Sequence, residues 1–340
     1  ERAIRVFEHY YDLVDSGVSG TISEASIEPL RDVETLTHLR FTHEEEQDAL
    51  RKVAVVKLNG GLGTGMGLSG PKSALTVTHG LTFLDITIRQ ILDLRARYDA
   101  PLPLILMNSF RTREESLAIL GAYPDLPVEG IQQDFVQNAE PKLRRDDLTP
   151  VTWPSDPSLE WCPPGHGDVY LALQSSGLLA ALRAKGVRYV FLSNGDNLGA
   201  TCDPQIAAWM VHNEIPYVAE VCERTPSDRK GGHLARRRTD GRIILRDNAQ
   251  ISPGEESAFQ DITVHTMFHA NNLWVDLDVL DQLLTARDGV LGLPILVNEK
   301  TVDPTDRTST EVVQLETAMG TAIETFEGSR ALLVPRTRFR

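Results

Sequence analysis

Short runs of aliphatic and β-branched residues alternate with longer segments of helical periodicity over residues 53–222, and this alternation constrains the fold most. The runs that predict buried strands are 53–58, 102–107, 188–192 and 217–222. The segments that predict helices are 83–98, 112–120, 169–185 and 206–213. Strands that alternate with helices pair in parallel and are covered by helices on both faces. The predicted fold class is therefore α/β, with a mostly parallel, Rossmann-like sheet flanked by helices.

Two of these predicted strands run into short loops rich in glycine and asparagine. Strand 53–58 is followed by Asn59-Gly60-Gly61. Strand 188–192 is followed by Ser193-Asn194-Gly195-Asp196. In parallel sheets, ligands bind outside the carboxyl ends of the strands. We therefore expect the two loops to converge on one crevice.

The chain divides into three parts by composition and pattern. Residues 1–50 carry twelve acidic and four basic side chains, and they predict an acidic helical segment in which 44–46 is a solvated face. Residues 51–225 form the α/β core. Residues 226–340 predict a smaller, β-containing lobe that completes the site. The elements predicted in this lobe are a hairpin turning at Thr239-Asp240-Gly241, strands at 263–269 and 292–297, and a helix at 311–326.

Charge and cysteine content limit the class of protein. The chain has 34 basic and 48 acidic side chains and a formal net charge of −14, which argues against nucleic acid and anionic membranes as partners. No stretch approaches the roughly 18 apolar residues of a membrane helix. Cys162, Cys202 and Cys222 lie far apart, so they predict free thiols in a reducing compartment. The charged first residues predict no signal peptide, and we expect a cytoplasmic monomer or small homo-oligomer.

The segment 58–73 contains six glycines in sixteen residues and ends in Gly70-Pro71-Lys72-Ser73. Such a loop lets successive backbone N–H groups point at one anion, and Lys72 can add a charge. Residues 65–70 match the dinucleotide-binding pattern, but they begin several residues after the strand and Pro71 follows where the helix should continue. Pro71 also separates glycine from lysine, which a P-loop does not allow. A flexible turn without a ligand is a further interpretation.

Residues 58–73 also resemble the eukaryotic-type signature of the UTP–glucose-1-phosphate uridylyltransferases, or UDP-glucose pyrophosphorylases. Further motifs follow in the order of that family and extend the resemblance over most of the chain. These motifs are Met107-Asn108-Ser109-Phe110, Trp161-Cys162-Pro163-Pro164-Gly165-His166-Gly167-Asp168, Ser193-Asn194-Gly195-Asp196-Asn197-Leu198-Gly199-Ala200-Thr201, Lys230-Gly231-Gly232, Asn271-Asn272-Leu273-Trp274, Gln314-Leu315-Glu316-Thr317-Ala318 and Val334-Pro335-Arg336-Thr337-Arg338-Phe339.

The resemblance implies a GT-A-like nucleotidyltransferase fold, without the C-terminal β-helix domain that relatives carry. It implies that UTP and glucose 1-phosphate react, with Mg²⁺ as cofactor, to UDP-glucose and pyrophosphate by in-line attack on the α-phosphorus. Both reactants are anionic, so catalysis must neutralise charge and hold an in-line geometry.

The resemblance also implies site residues, position by position. Lys72 is expected to be a catalytic cation, and Asp196 a catalytic residue that binds Mg²⁺. The implied nucleotide-binding residues are Leu58, Asn59, Gly60, Gly61, Gly63, Lys72, Gln137 and Gly165. The implied sugar-phosphate-binding residues are His166, Asn194, Lys230, Asn272 and Glu316. Residues 51–225 would thus be the nucleotide-binding part and 226–340 the sugar-binding part. Asp196 as a turn cap and Glu316 as a surface carboxylate of a helix are the structural alternatives.

Other functions stay open. The first is a related UDP-sugar pyrophosphorylase of broader range, although Met66-Gly67 stands where N-acetylhexosamine enzymes show Arg-Leu. The second is a non-catalytic UDP-sugar-binding module, because the second phosphate-binding lysine of the family falls beyond Arg340; we therefore expect residues 1–340 alone to be catalytically weak. A glycosyltransferase would show Asp-x-Asp, where this chain has Asn194-Gly195-Asp196.

Overall fold

The computed structural model of the chain describes residues 1–18, 20–62 and 70–339. Gly63, an expected nucleotide-binding residue, lies outside the described residues, as do Met66 and Gly67. Within these ranges the α-helices are α1 (Arg2–Asp15), α2 (His43–Leu50), α3 (Phe83–Tyr98), α4 (Arg113–Gly121), α5 (Val169–Ser175), α6 (Leu178–Ala184), α7 (Pro204–Asn213), α8 (Glu256–Phe259) and α9 (Leu277–Ala286).

The β-strands of the described ranges are mostly short outside the central sheet. They are β1 (Ile27–Pro29), β2 (Glu34–Thr35), β3 (Val53–Asn59), β4 (Thr76–Thr78), β5 (Leu81–Thr82), β6 (Leu104–Asn108), β7 (Asp134–Val136), β8 (Glu140–Pro141), β9 (Leu143–Arg144), β10 (Trp161–Cys162), β11 (Tyr189–Asn194), β12 (Tyr217–Glu223), β13 (His233–Arg237), β14 (Ile243–Arg246), β15 (Met267–Asp276), β16 (Ile295–Thr301), β17 (Glu311–Thr317) and β18 (Arg330–Leu333).

The central sheet has the strand order β2-β18-β12-β15-β11-β3-β6-β7, and β13 joins it to β1 and β14. Strands β11, β3, β6 and β7 run parallel to one another, as do β12, β18 and β2. Strand β15 lies between these two groups and is antiparallel to both neighbours. The predicted α/β fold with a mostly parallel sheet is confirmed.

The central strands are mostly apolar because helices cover both faces of the sheet. Alternate side chains of β3 point to opposite faces. Ala54 and Val56 belong to the hydrophobic cluster that contains α5, α6 and α9. Val53 and Val55 belong to the cluster that contains α2, α3 and α7. Because both faces are buried, the register of β3 is fixed, and so is the position of the loop that follows it.

Four details of the predicted secondary structure are wrong, and each has a local cause. Residues 311–326 are not one helix: β17, rich in β-branched residues, pairs with β16 along its whole length, and a 3₁₀ turn follows at Met319–Glu324. Gly177, at a φ of +78°, separates α5 from α6 within the predicted helix 169–185. Residues 263–265 precede β15 and are not in a strand. Glu46 is buried and accepts a hydrogen bond from Gln205, so 44–46 is not uniformly solvated.

Smaller sheets complete the molecule, as the predicted β-containing lobe requires. The hairpin is present as β13 and β14. Strands β16, β17 and β9 form a separate three-stranded sheet, so this lobe includes a strand from the 51–225 part of the chain. Cys162, Cys202 and Cys222 are buried free thiols, as expected. Among the described helices, none is long and apolar enough to cross a membrane.

Candidate active site

The loops after β3 and β11 lie side by side at the carboxyl edge of the sheet. Asn194 pairs with Leu58 in the parallel register, and the N–H of Gly195 donates to the carbonyl oxygen of Leu58 at 2.9 Å. An open cleft of about 300 Å³ lies there. The expected site residues that line it are Leu58, Asn59, Gly60, Gly61, Lys72, Gln137, Gly165, His166, Asn194 and Asp196, and Ser73, Met107, Pro163 and Gly195 line it as well.

Lys72 and Asp196 bring opposite charges together from the two loops. Their Nζ and Oδ2 atoms are 3.6 Å apart, and the side chains are 44% and 40% exposed. A pair this open to water contributes little to the free energy of folding. Both groups therefore remain available to a charged ligand in the cleft.

The side chain of Asn59 is committed to the protein. Its Nδ2 donates to Asn108 Oδ1 and to Ser116 Oγ, both at 2.7 Å, and its Oδ1 accepts from Ser73 Oγ. These bonds tie the end of β3 to β6, to α4 and to the turn after Lys72. A contact from Asn59 to a ligand would thus come from its backbone.

Gln137 lies across the glycine loop. It follows β7, and its N–H donates to the carbonyl oxygen of Asn108 at 2.9 Å. A Cβ on Gly60 would come within 2.9 Å of Gln137 Oε1, whereas a Cβ on Gly61 would meet nothing within 4 Å. The carboxamide of Gln137 thus packs directly against Gly60, and Gly61 leaves an open backbone facing the cleft.

The loop that carries Gly165 and His166 is held by the smaller lobe. Gly165 has a φ of +79°, and a Cβ there would lie 2.4 Å from the carbonyl oxygen of Thr317. His166 Nδ1 accepts a hydrogen bond from the N–H of Met319 at 3.0 Å. Desolvation by the surrounding protein lowers the pKa of His166, although its side chain is exposed to the cleft. In the neutral ring the proton is therefore on Nε2, which remains free to donate.

Two neighbouring asparagines on β15 have different roles. Asn272 is fully buried, and its Nδ2 donates to Glu220 Oε2 at 3.0 Å and to the carbonyl oxygen of Arg338 at 3.2 Å. Neither Asn272 nor Asn271 is among the residues that line the cleft. Asn271 instead donates to Asn194 Oδ1 at 3.0 Å. Asn271 has a φ of +55°, a conformation that asparagine adopts more readily than most residues.

The remaining expected sugar-phosphate residues lie outside the cleft lining. Glu316 is on strand β17, not on a helix, and Lys300 Nζ lies 3.4 Å from its Oε1. Its Cβ is 3.0 Å from the position that a Cβ on Gly165 would take, so it adjoins the Gly165 loop. Lys230 is exposed on the turn before β13. Asn271 was not among the expected site residues, and it is the one of the two asparagines whose side chain bonds to Asn194.

Glu140 is a buried carboxyl next to this region. Its Oε1 has no hydrogen-bond partner among the described residues. Burial, together with the charges of Asp168 and Glu316, raises its pKa to about 8. Because this pKa exceeds the unfolded value of 4.5, the unfolded state releases the proton at lower pH than the folded state does. The free energy of unfolding therefore falls as pH rises from about 4.5 to 8.

We expect the substitution Glu140→Gln to remove this pH dependence. Relative to the variant, the wild-type free energy of unfolding should fall by about 3–4 kcal/mol between pH 5 and pH 8, because the slope is roughly 1.4 kcal/mol per pH unit in the middle of this range and smaller at both ends. Chemical denaturation of both proteins across this range measures the difference. The exposed Glu299→Gln is the matched control, since Glu299 is 59% exposed, and it should follow the wild type. Parallel curves for Glu140→Gln and wild type would contradict the prediction.

Glycine backbone, a lysine and a carboxylate thus meet at the carboxyl edge of the sheet, where proteins of the α/β class bind their ligands and where such groups can hold an anion. Comparison with known proteins gives the family. The sequence model of the UTP–glucose-1-phosphate uridylyltransferase family matches residues 4–340. The chain belongs to this family.

Relatives of known name or structure are similar over nearly the whole chain. The UTP–glucose-1-phosphate uridylyltransferase of Saccharomyces cerevisiae is 41% identical over 296 residues, which are 87% of this chain and 58% of the yeast protein. A Trypanosoma brucei structure of UDP-glucose phosphorylase has a TM-score of 0.92 at 47% identity, covering 99% of this chain and 72% of that one. A Leishmania major UDP-glucose pyrophosphorylase mutant in complex with UDP-glucose has a TM-score of 0.92 at 43% identity, covering 100% and 73%. The chain thus spans under two thirds of the length of the yeast relative.

Proposed function

We propose that this chain carries the active site of an enzyme that makes UDP-glucose and pyrophosphate from UTP and glucose 1-phosphate. One observation carries the proposal: Lys72 and Asp196, 3.6 Å apart, meet beside an open glycine backbone. In the reaction an oxygen of the sugar phosphate bonds to the α-phosphorus of UTP. The bond from that phosphorus to the bridging oxygen of the β-phosphate breaks, and pyrophosphate leaves with the electron pair.

The nucleotide would lie along the β3 loop. Gly61 offers backbone that no side chain obstructs, and Lys72 supplies a point charge to the phosphates. Gln137, beside Gly60, offers a carboxamide that can both donate to and accept from a uracil edge. These groups hold the nucleotide in line and offset the charge that accumulates during transfer.

Asp196 would hold the Mg²⁺ ion. Its carboxylate is 40% exposed beside the cleft, and the described residues contain no group of three or more His, Cys, Asp or Glu side chains that could hold an ion alone. Mg²⁺ commonly takes one or two carboxylates and completes its shell with substrate phosphates and water, so a single carboxylate fits. When bound, the ion would neutralise phosphate charge.

The sugar phosphate would lie between the His166 loop and the Asn194 loop. His166 Nε2–H can donate to a phosphate or hydroxyl oxygen, and Asn194 lines the same cleft. We assign the sugar contact from β15 to Asn271 and a structural role to Asn272. Lys230, Glu316 and the division at residues 50 and 225 into helical, nucleotide-binding and sugar-binding parts remain predictions.

The two asparagines give a direct test of that assignment. Asn271→Gly removes the amide and tolerates a positive φ, and we expect the KM for glucose 1-phosphate to rise about tenfold, the value of roughly one hydrogen bond. Asn272→Ala should instead lower the free energy of unfolding by about 1–3 kcal/mol, because it leaves buried partners unpaired. Steady-state kinetics and denaturation of both variants measure this contrast. A KM effect confined to Asn272→Ala would reverse the assignment.

Pyrophosphate release tests the proposed function as a whole. The full-length protein is incubated with UTP, Mg²⁺ and a panel of sugar 1-phosphates, including galactose and N-acetylhexosamine forms. We expect release with glucose 1-phosphate. Comparable release with several sugars would indicate a broader UDP-sugar pyrophosphorylase. Thermal stabilisation by UDP-glucose without any release would indicate a non-catalytic binding module.

A further inference from the structure

A buried lysine lies next to the cleft, and the reaction proposed above does not use it. Lys57 is on β3 and only 3% exposed. Its Nζ donates to Ser193 Oγ and to the carbonyl oxygen of Ala200, both at 2.8 Å. Ser193 and Ala200 stand at the two ends of the segment that contains Asp196, which we call the Asp196 loop (residues 193–200).

We propose that Lys57 is a positioning residue that joins both ends of the Asp196 loop and so holds the Asp196 carboxylate beside the cleft. The inference rests on the proposed function in one respect, the role given to Asp196. It deepens that function because it explains how an exposed carboxylate on an irregular loop keeps a defined place. Lys57 itself lines no part of the cleft.

The hydrogen bonds of Lys57 hold a part of the Asp196 loop that strand pairing does not reach. Parallel pairing of β3 with β11 ends at Asn194, and the rest of the loop leaves the sheet. A lysine ammonium carries three donors on a long stem, so one side chain can reach both Ser193 on the neighbouring strand and the backbone of Ala200 beyond the loop. A neutral apolar residue of similar length would fill the same space without making either bond.

Burial of the Lys57 ammonium costs free energy, which argues against a role that consists only of filling space in the core. Removal of an ammonium from water is unfavourable unless hydrogen bonds and charges compensate. Within the described residues, no ion pair involves Lys57 at 4.0 Å or less. The Phe191 ring lies 5.9 Å from Nζ, and the more distant charges of Glu220 and Asp196 also favour the ammonium form. Burial, with the nearby charge of Arg338, lowers the pKa of Lys57 to about 7.

Other contacts hold single points of the Asp196 loop, and two turn hydrogen bonds lie within it, from the N–H of Asn197 to the carbonyl oxygen of Asn194 and from the N–H of Ala200 to the carbonyl oxygen of Asn197, each 3.3 Å long. Among the hydrogen bonds of the described residues, those of Lys57 are the ones that link Ser193 directly with Ala200. The N–H of Gly195 bonds to Leu58, and Gln90 Nε2 donates to the carbonyl oxygen of Leu198 at 3.1 Å. Asn197 Nδ2 donates to the carbonyl oxygen of Arg338 at 3.1 Å. Loss of Lys57 should therefore loosen the loop while leaving the sheet and these anchors in place.

Hydrogen exchange tests, without reference to activity, whether Lys57 holds the two ends of the Asp196 loop together. In Lys57→Met we expect the amides of Gly195, Asn197 and Ala200 to exchange at least about tenfold faster, with the β6 amides unchanged. The control is Lys142→Met, since Lys142 is also buried and its Nζ donates to the carbonyl oxygen of Val302 at 2.9 Å. Unchanged loop exchange in Lys57→Met, or equal acceleration in Lys142→Met, would overturn the proposal.

A milder variant covers the case in which Lys57→Met does not fold. Ser193→Ala removes one of the two acceptors and a single oxygen atom. It should accelerate exchange of the same loop amides by about threefold, because only one end of the loop is released. Loop exchange at the wild-type rate in this variant would also overturn the proposal.

Kinetics of a double-mutant cycle test whether Lys57 acts through Asp196. In the full-length enzyme, Lys57→Met should lower kcat about tenfold or more, with little change in the KM for glucose 1-phosphate, and should have no further effect in an Asp196→Asn background. Fully multiplicative losses would overturn the positioning role. Wild-type activity of Asp196→Asn would overturn the function proposed for Asp196. The exchange measurement would still decide whether Lys57 holds the Asp196 loop.

Discussion

Replacement of Asp196 by Asn should lower the rate of UDP-glucose formation by at least about 100-fold at limiting Mg²⁺. Asparagine keeps the size of the side chain but removes the charge that a hard divalent cation requires. The rate should recover only in part at high Mg²⁺, because the phosphates of the nucleotide still offer ligands. Initial rates over a range of Mg²⁺ concentrations measure the effect.

The fold should survive this substitution. Asp196 is 40% exposed and its ion pair with Lys72 is open to water, so the free energy of unfolding should change by less than about 1 kcal/mol. Thermal unfolding of the variant without ligand is the control. Direct binding of Mg²⁺ with UTP gives a second readout, and a weakened affinity there should accompany the kinetic loss. Activity equal to wild type at limiting Mg²⁺ would remove Asp196 from the metal site.

Replacement of Lys72 by Ala should lower kcat by about 100- to 1,000-fold, which corresponds to roughly 3–4 kcal/mol of lost transition-state stabilisation. The ammonium is proposed to offset charge that accumulates on the phosphates as pyrophosphate leaves, so its loss should be felt more in kcat than in KM. Rates measured against UTP and glucose 1-phosphate separate the two effects. A rise in KM at constant kcat would mean that Lys72 binds ground state and transition state equally.

Lys72→Arg is the matched variant for this experiment. It keeps the positive charge but replaces a compact ammonium by a planar guanidinium. We expect it to recover part of kcat, which would identify charge as the main contribution of Lys72. An arginine variant as slow as the alanine variant would indicate instead that the position of the ammonium is decisive.

The sequence alone predicted the fold class and much of the secondary structure. Helix α3 has the predicted bounds because Thr82 and Asp85 form a reciprocal capping box at its start. The central strands were recognisable because burial on both faces requires continuous apolar runs. The helix predicted at 311–326 was wrong because the strand there is defined by pairing with the preceding strand β16 and not by the periodicity of its own residues.

Ten expected site residues line the cleft, among them Lys72 and Asp196. The resemblance to the family implied all ten, and strand ends and glycine loops, which are local features of a sequence, independently pointed to those at 58–61, 72, 194 and 196. The positions of Asn271 and Asn272 could not be predicted in the same way. They are adjacent and chemically identical, and only a positive φ in β15 and the buried partners Glu220 and Arg338 distinguish them.

The amino-acid sequence by itself determined the α/β alternation, the two loops at strand ends and the charged residues in them, because periodicity and turn chemistry act over a few residues. Tertiary structure alone decided that Lys72 lies 3.6 Å from Asp196 and that Asn59 faces inward. It also decided that Lys57 joins both ends of the Asp196 loop. The contacts of Lys72 and Lys57 connect residues more than a hundred positions apart, and those of Asn59 reach up to 57 positions along the chain. Only the packing of the sheet brings these residues together.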